Sequence, residues 1–343
     1  MLSMFLKMTK SIRWLLCLGL FLNFQNANSD PIIIVTLLGT GVSLLNAVGY
    51  NVSGRVMSAT LVEVGGELLL FDCGSGCVKR LYEISIDPAN PNANLSVDKL
   101  FLTHLHSDHI ADVPSLYSIG WLYRNNLPLR VWGPGSDRHG HEGTRQILHD
   151  LKKVFSADIY LRSKAFPGFE DVTFDPAGES VNSETVTEIK GTHMIVYEHN
   201  GIKVEAFQVK HEPVHPAFGF LISYQGKRVM LTGDTTFTES LVTYGAGADV
   251  IVSEAWGWAR EDGPGLYDYH CPPENCLAPM FLATTPQLAV LTHLSGPPPV
   301  TNVANDIVSR VRTAGYLGPL VAGVDKMQVL IYSNAKEPTV VMP

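Results

Sequence analysis

The nine residues "LTHLHSDHI", Leu102 to Ile110, set His104, His106, Asp108 and His109 within six positions. Folding alone gives no reason to group four such side chains. Three imidazoles and a carboxylate at the end of an apolar run, "DKLFL", read as metal ligands carried out of a β-strand. If the chain stays extended through Leu105, His104 and His106 point to one side. Asp108 and His109 lie on the turn beyond, where they can face a second metal. Neutral imidazole and carboxylate suit zinc, with manganese or iron as alternatives.

The same arrangement recurs along the chain. His211 follows "VEAFQVK", Asp234 follows "RVMLTG" and His293 follows "LAVLT". Strands of one sheet end on one rim, so these seven residues can converge there. Seven ligands are enough for two divalent metals, with one carboxylate bridging. A lone histidine is usually a surface or hydrogen-bonded residue. His139, His141, His149, His193, His199 and His215 are read that way.

Around these ligands the chain alternates strands and helices. "IIIVTLLGTG" is a β-type run. "SATLVEVGGELLLFDCG" gives two strands turning at Gly65-Gly66, with a short helix over 77–85. Helices follow over "VPSLYSIGWLYRNN" and "HEGTRQILHDLKKVF", the latter with an apolar stripe at Ile147, Leu151 and Val154. The polar stretch 160–190 shows no period and reads as a loop, with 160–200 a candidate cover over the site. Two hairpins turn at Asn200-Gly201 and Gln225-Gly226. "ADVIVSEA" and "QLAVLTHL" are strands, "PENCLAPMFLAT" and 303–313 helices, and "MQVLIYS" the last strand. No linker divides the chain. Residues 30–343 are expected to form one domain of two sheets with helices outside.

Residues 1–29 stand apart. Lys7, Lys10 and Arg13 precede the apolar run "WLLCLGLFL", and small residues suited to cleavage follow near Ser29. That is the layout of a signal peptide, and the run is too short for a membrane span, which needs about 20 apolar residues. An exported (periplasmic or secreted) protein with no stable membrane anchor is expected. Removing those three basic residues takes the net charge from −8 to −11. So acidic a chain is a poor partner for a nucleic-acid backbone.

Beyond 1–29 the chain holds four cysteines, Cys73, Cys77, Cys271 and Cys276; an even count in an exported protein suggests disulfides, with three pairings open. Asn51-Val-Ser53 and Asn94-Leu-Ser96 match glycosylation acceptors.

"THLHSDHI" resembles the H-x-H-x-D-H signature of the metallo-β-lactamase superfamily. "LLGTG", "LLFDCGSG", "LTGDT" and "LTHL" resemble its other motifs, in the right order, over about residues 32–332. The resemblance implies an α+β fold, a four-layer αβ/βα sandwich of two mixed β-sheets flanked by helices, with two metals at one edge. It puts His104, His106 and His211 on one metal, Asp108, His109 and His293 on the other, and Asp234 between them. Asp72 resembles the aspartate that steadies a ligand histidine.

A finer resemblance is to the ribonuclease Z and arylsulfatase-like branch. "VKHEPVHPAFGF" matches its histidine segment with His211 as ligand and His215 as the alternative. "VSEAW" and "YHCPPENCLAP" resemble its glutamate and its extra histidine, so Glu254 and His270 are candidates for a general-acid pair, counted with Asp108 as catalytic. "Cys271-Pro272-Pro273" departs from the small polar residues usual there.

Two metals lower the pKa of a shared water and polarise the bond under attack, while a neighbouring acid protonates the leaving group. The reaction expected is hydrolysis of an ester, with sulfate esters and phosphodiesters favoured and lactones or carboxylic esters open. Bacterial ribonuclease Z carries a tRNA-gripping arm between the ligand histidine and the bridging aspartate. Here His211 and Asp234 are only 23 positions apart, which one hairpin fills. A small-molecule substrate is therefore expected; a homodimer is compatible with the sequence. A metal-binding protein without turnover is the reading from a different class.

Overall fold

The computed structural model describes residues 30–42, 55–84, 97–123, 129–137, 139–165, 186–258, 267–295 and 302–343. The signal-peptide segment 1–29 and both glycosylation sequons lie outside the described residues.

The first half builds one sheet. β1 (Ile33–Gly39), β2 (Ala59–Val64) and β3 (Glu67–Phe71) run antiparallel, and Gly65 and Gly66 make the turn between the last two at φ 57° and 82°. Then come α1 (Cys77–Glu83), β4 (Lys99–Phe101), the single turn α2 (Ser107–Ile110) and α3 (Val113–Tyr123). β5 (Arg130–Pro134), α4 (Thr144–Val154), α5 (Ser156–Ala165) and β6 (Val186–Ile189) complete this half.

The second half builds the other sheet. β7 (His193–His199), β8 (Ile202–His211), β9 (Val214–Tyr224) and β10 (Lys227–Leu231) form a meander. Its turns Asn200-Gly201 and Gln225-Gly226 have positive φ at both central residues, as two-residue hairpins matched to strand twist require. α6 (Glu239–Gly245), β11 (Val250–Trp256), α7 (Ala278–Thr284), β12 (Leu288–Ser295), α8 (Val303–Thr313) and β13 (Leu320–Ala322) follow. β14 (Gln328–Ile331) and β15 (Thr339–Val341) return to the first sheet.

Among the described residues the first sheet has the order β15-β14-β1-β2-β3-β4-β5-β6 and the second β13-β12-β11-β10-β9-β8-β7. Period-two alternation explains the layering. Val229 and Leu231 of β10 join Phe71, Phe101 and Phe220 in the core between the sheets, whereas Met230 belongs to the outer cluster that includes Phe281 of α7 and Ile307 of α8. On the far side, Leu70 and Leu100 pack against Leu81, Val113 and Leu148 from the first half's helices. The result is helix, sheet, sheet, helix. β3 through β6 are parallel, as are β10 through β13, so the carboxyl ends of each run lie together.

Three expectations are corrected. The face α4 buries is Thr144, Leu148 and Lys152; Ile147 and Leu151 flank it and Val154 is 72% exposed. Thr144 Oγ1 donates to the carbonyl of Pro134 (2.8 Å), which pins the helix start and turns the stripe away from Val154. The stretch 160–190 is not all loop. It opens within α5 and closes on β6, while 166–185, the middle of the candidate cover, lies outside the described residues. "MQVLIYS" is not the last strand, because β15 pairs beyond it.

Candidate metal centre

Asp72, directly after β3, takes the left-handed φ of 57°. Its Oδ1 accepts the backbone N–H of Thr103 (2.8 Å) and its Oδ2 accepts from His109 Nδ1 (2.7 Å). Thr103 Oγ1 donates to Asp72 Oδ2 (2.9 Å) and lies 3.0 Å from His104 Nδ1. The carboxylate thus ties the end of β3 to the start of "THLHSDHI" and holds His109 in the tautomer that leaves Nε2 with its lone pair inward. His211, at the end of β8, donates from Nδ1 to the carbonyl of Tyr269 (2.9 Å), which presents its Nε2 in the same way.

Ring nitrogens converge as a result. His104 Nε2 lies 3.0 Å from His106 Nδ1, and His211 Nε2 lies 3.3 Å from that same atom. His106 is exposed, whereas His104 and His211 are buried. Asp108 Oδ2 lies 3.2 Å from His293 Nε2. Asp234, past Gly233 at the end of β10, sits between the two groups. Its Oδ1 is 3.4 Å from His109 Nε2, and its Oδ2 is 3.4 Å from His293 Nε2 and 3.9 Å from His211 Nε2. Gly233 is needed there: at φ 61° a Cβ would fall 2.9 Å from both the Phe218 carbonyl oxygen and Thr103 Cβ.

His293 arrives by an irregularity. Glu254 pairs with Thr292 and Ala255 with Leu294, so His293 is an extra residue in β12, at φ 48°. A bulge of this kind re-aims a side chain, here toward Asp108 and Asp234. Left-handed backbone in a non-glycine residue is costly and clusters at functional sites.

The donor set fits divalent cations. His109 Nε2 and Asp234 Oδ1 are buried with no hydrogen-bond partner, whereas buried polar atoms are normally paired. The groups His104/His106/His211 and Asp108/His109/His293 each bring three ligand atoms within 4.8 Å of one another. Burial drives protons off His104 and His211, lowering the latter's pKa to about 4. Burial opposes charge on His109 too, but Asp234 and Asp72 outweigh it and hold its pKa well above the ordinary value. A cation competes with that proton for Nε2, so binding releases protons.

Glu254, the fifth residue of β11, accepts a 2.5 Å hydrogen bond from the N–H of Thr235 on Oε1. Its Oε2 takes Nδ1 of His270 at 2.7 Å. Burial works against charge on His270, yet Glu254 beside it pushes the pKa up to about 9. His270 lies 4.9 Å, ring to ring, from His211.

The seven candidate ligands, Asp72, Glu254 and His270 therefore lie in one cluster. His215 does not; it meets Gln208 at 2.7 Å. His141, His193 and His199 pair with Asp137, Glu205 and Glu67 at the surface. Sequence reasoning missed Thr103, the Tyr269 carbonyl and Trp256, whose indole stacks on His270. Thr103 could have been suspected, since "LT" precedes a candidate ligand histidine in both halves, at His104 and His293; a carbonyl and a core-like tryptophan carry no such signal. Of the four cysteines, Cys271 and Cys276 form a disulfide while Cys73 and Cys77 are buried free thiols, so one of the possible disulfides is present. No described helix is long and apolar enough to cross a membrane.

A family model described as "Beta-lactamase superfamily domain" matches residues 68–294. Ribonuclease Z of Mycobacterium sp. (strain KMS) is 33% identical over 223 residues, covering 64% of this chain and 68% of that one. Ribonuclease Z of Mycobacterium marinum (strain ATCC BAA-535 / M) is 30% identical over 268 residues, covering 76% and 85%. Among solved structures, the short form of human tRNase Z superposes with a TM-score of 0.59 at 20% identity, over 87% of this chain and 99% of that one.

Proposed function

The chain belongs to the metallo-β-lactamase superfamily, on its ribonuclease Z branch, as a metal-dependent hydrolase of phosphodiester or ester bonds, and on that premise we propose that it is an exported binuclear enzyme cleaving a small-molecule phosphodiester or sulfate ester. The observation that carries this reading is the juxtaposition of seven ligand side chains with the Glu254–His270 pair. His104, His106 and His211 would hold one ion, and Asp108, His109 and His293 the other. Asp234, with Oδ1 toward His109 and Oδ2 toward both His293 and His211, faces both groups and would bridge. Zinc suits this donor set. Divalent ions bound there would lower the pKa of a bound water and polarise the ester oxygen.

The chain's own residues would do the rest. Asp72 and the Tyr269 carbonyl keep the Nε2 lone pairs of His109 and His211 facing inward. Glu254 holds His270 protonated, so that its other ring nitrogen can give a proton to the departing oxygen. Export rests on the layout of residues 1–29.

A second reading has its own support. The mycobacterial relatives are named ribonuclease Z, so cleavage of tRNA precursors is the competing activity. Against it, β8 and β9 join directly, with His211 opposite Val214, and only the Gln225-Gly226 hairpin intervenes before Asp234. The tRNA-gripping arm has no place there.

The test is a hydrolysis panel on metal-replete protein lacking residues 1–29: bis(p-nitrophenyl) phosphate, p-nitrophenyl sulfate, an alkyl phosphodiester, a lactone and precursor tRNA. Turnover of small diesters or sulfates with intact tRNA is expected; efficient tRNA cleavage would replace the proposal with the second reading, and inertness on all five would favour a binding protein. His270→Ala is expected to slow the alkyl diester by about 10²-fold or more while sparing the activated aryl ester. Equal loss on both would remove the general-acid role.

A further inference from the structure

Hydrogen bonding to Glu254 fixes one atom of the His270 ring. By itself it does not hold the plane of the ring against tilting through the side-chain torsions. A proton donor needs its plane fixed as well, because its second nitrogen must meet a small target. Trp256 supplies the missing constraint. It lies two residues beyond Glu254 on β11, and its indole lies on the imidazole with ring centroids 4.2 Å apart and planes within 4°.

The contact is held from several sides. Trp256 is 6% exposed and its Nε1 is buried without a hydrogen-bond partner, so packing against the imidazole rather than a polar bond places the indole. Trp258 stands 6.3 Å from it, ring to ring, and is anchored through its Nε1 to Ser295 Oγ (3.0 Å). The backbone N–H of Trp256 donates to the carbonyl of Cys271 (3.1 Å), the residue after His270. Cys271 is in turn bridged to Cys276 across the π-helical turn Pro273–Leu277. The "HCPPENC" segment, which departs from the branch's usual residues, thus ties the histidine's own peptide to the strand carrying Glu254 and Trp256.

We propose that Trp256 is a positioning residue for His270, setting the plane of the imidazole while Glu254 sets its direction. The inference rests on the reading of His270 as general acid. Trp256 does not touch the reacting atoms. Its loss leaves the metal ligands in place and lets the imidazole turn.

The experiment compares Trp256→Ala, Trp256→Leu and Trp256→Phe with His270→Ala, on one activated aryl ester and one alkyl ester of the same acid. Bound metal is measured for each. A general acid contributes about 10²–10⁴-fold. Trp256→Ala and Trp256→Leu are expected to lose about tenfold or more of that kcat on the alkyl ester. On the aryl ester, and in KM and metal content, they should stay near wild type. Trp256→Phe, which keeps a planar face, should recover most of the loss.

If His270→Ala discriminates between the esters but the Ala and Leu variants do not, the positioning role is overturned while the general acid survives. If His270→Ala does not discriminate, the general-acid reading fails and the inference goes with it. Should Trp256→Ala not fold, the Leu and Phe pair decides: equal behaviour of these two overturns the proposal.

Discussion

Asp72 is the residue whose replacement separates support of the site from support of the fold. Two substitutions divide its work. Asp72→Ala removes both oxygens and places alanine at φ 57°. The Thr103 N–H, buried and 2.8 Å from Oδ1, then loses its acceptor. An unsatisfied buried donor costs about 1–3 kcal/mol and a left-handed alanine about 1–2 kcal/mol. The expected destabilisation is therefore about 2–5 kcal/mol. Asp72→Asn keeps an acceptor for Thr103 and a side chain that tolerates the left-handed region. Its destabilisation should stay below about 1.5 kcal/mol, the scale of one hydrogen bond.

On metal affinity the two variants should agree. Either one removes the charge that accepts the His109 Nδ1 proton at 2.7 Å. Losing such an outer partner costs about 10–100-fold in affinity, or about 1.4–2.7 kcal/mol. The loss should fall on the ion held by His109 and leave the His104/His106/His211 ion less affected. Competition against a chromogenic zinc chelator gives the two affinities, and urea unfolding in excess EDTA gives stability free of metal linkage. Asp72→Asn binding both ions within about twofold of wild type would refute the outer-partner assignment, because the substitution removes both the charge and the second acceptor oxygen that meets His109.

Asp234→Ala should abolish turnover and lower bound metal, since one carboxylate faces His109 and His293 of one group and His211 of the other; a variant holding two ions tightly by elemental analysis would end the bridging assignment. The pH dependence has a definite sign. His270, raised to about 9, carries its proton below that value and loses it above. Rates on a poor-leaving-group ester should hold toward pH 9 and then fall, and the fall should be absent in His270→Ala; a pH–rate profile with the same alkaline limb in both proteins would assign that limb to another group.

The candidate ligands were legible because their chemistry is conspicuous and their position systematic. An apolar run that stops on histidine or aspartate is a strand reaching a rim, and the parallel runs β3–β6 and β10–β13 make those rims adjacent. The two-sheet layering was legible for a related reason: alternation such as Val229-Met230-Leu231 declares two faces. β13 and β15 were not, because three residues carry little pattern and, unlike the equally short β4, neither runs into a histidine cluster; they exist through their pairing with β12 and β14. The stripe on α4 was read rightly at Ile147 and Leu151, which pack beside Leu148, and wrongly at Val154, which is exposed. Its phase is set by Thr144 bonding the Pro134 carbonyl, a contact 10 residues back in the chain.

The groups that orient the site belong to this second kind. A ligand histidine is recognisable by type, but its tautomer depends on whatever meets its other nitrogen. For His211 that is a main-chain carbonyl from Tyr269, 58 residues away, which any residue could have supplied. For His270 it is Glu254, visible only through a family resemblance, and Trp256, which in sequence is one more apolar residue in a buried strand. Sequence thus speaks most clearly about the atoms that would touch a metal. It speaks least about the atoms that decide which way those atoms point, since a carbonyl or a packed ring does that work without any distinctive chemistry of its own.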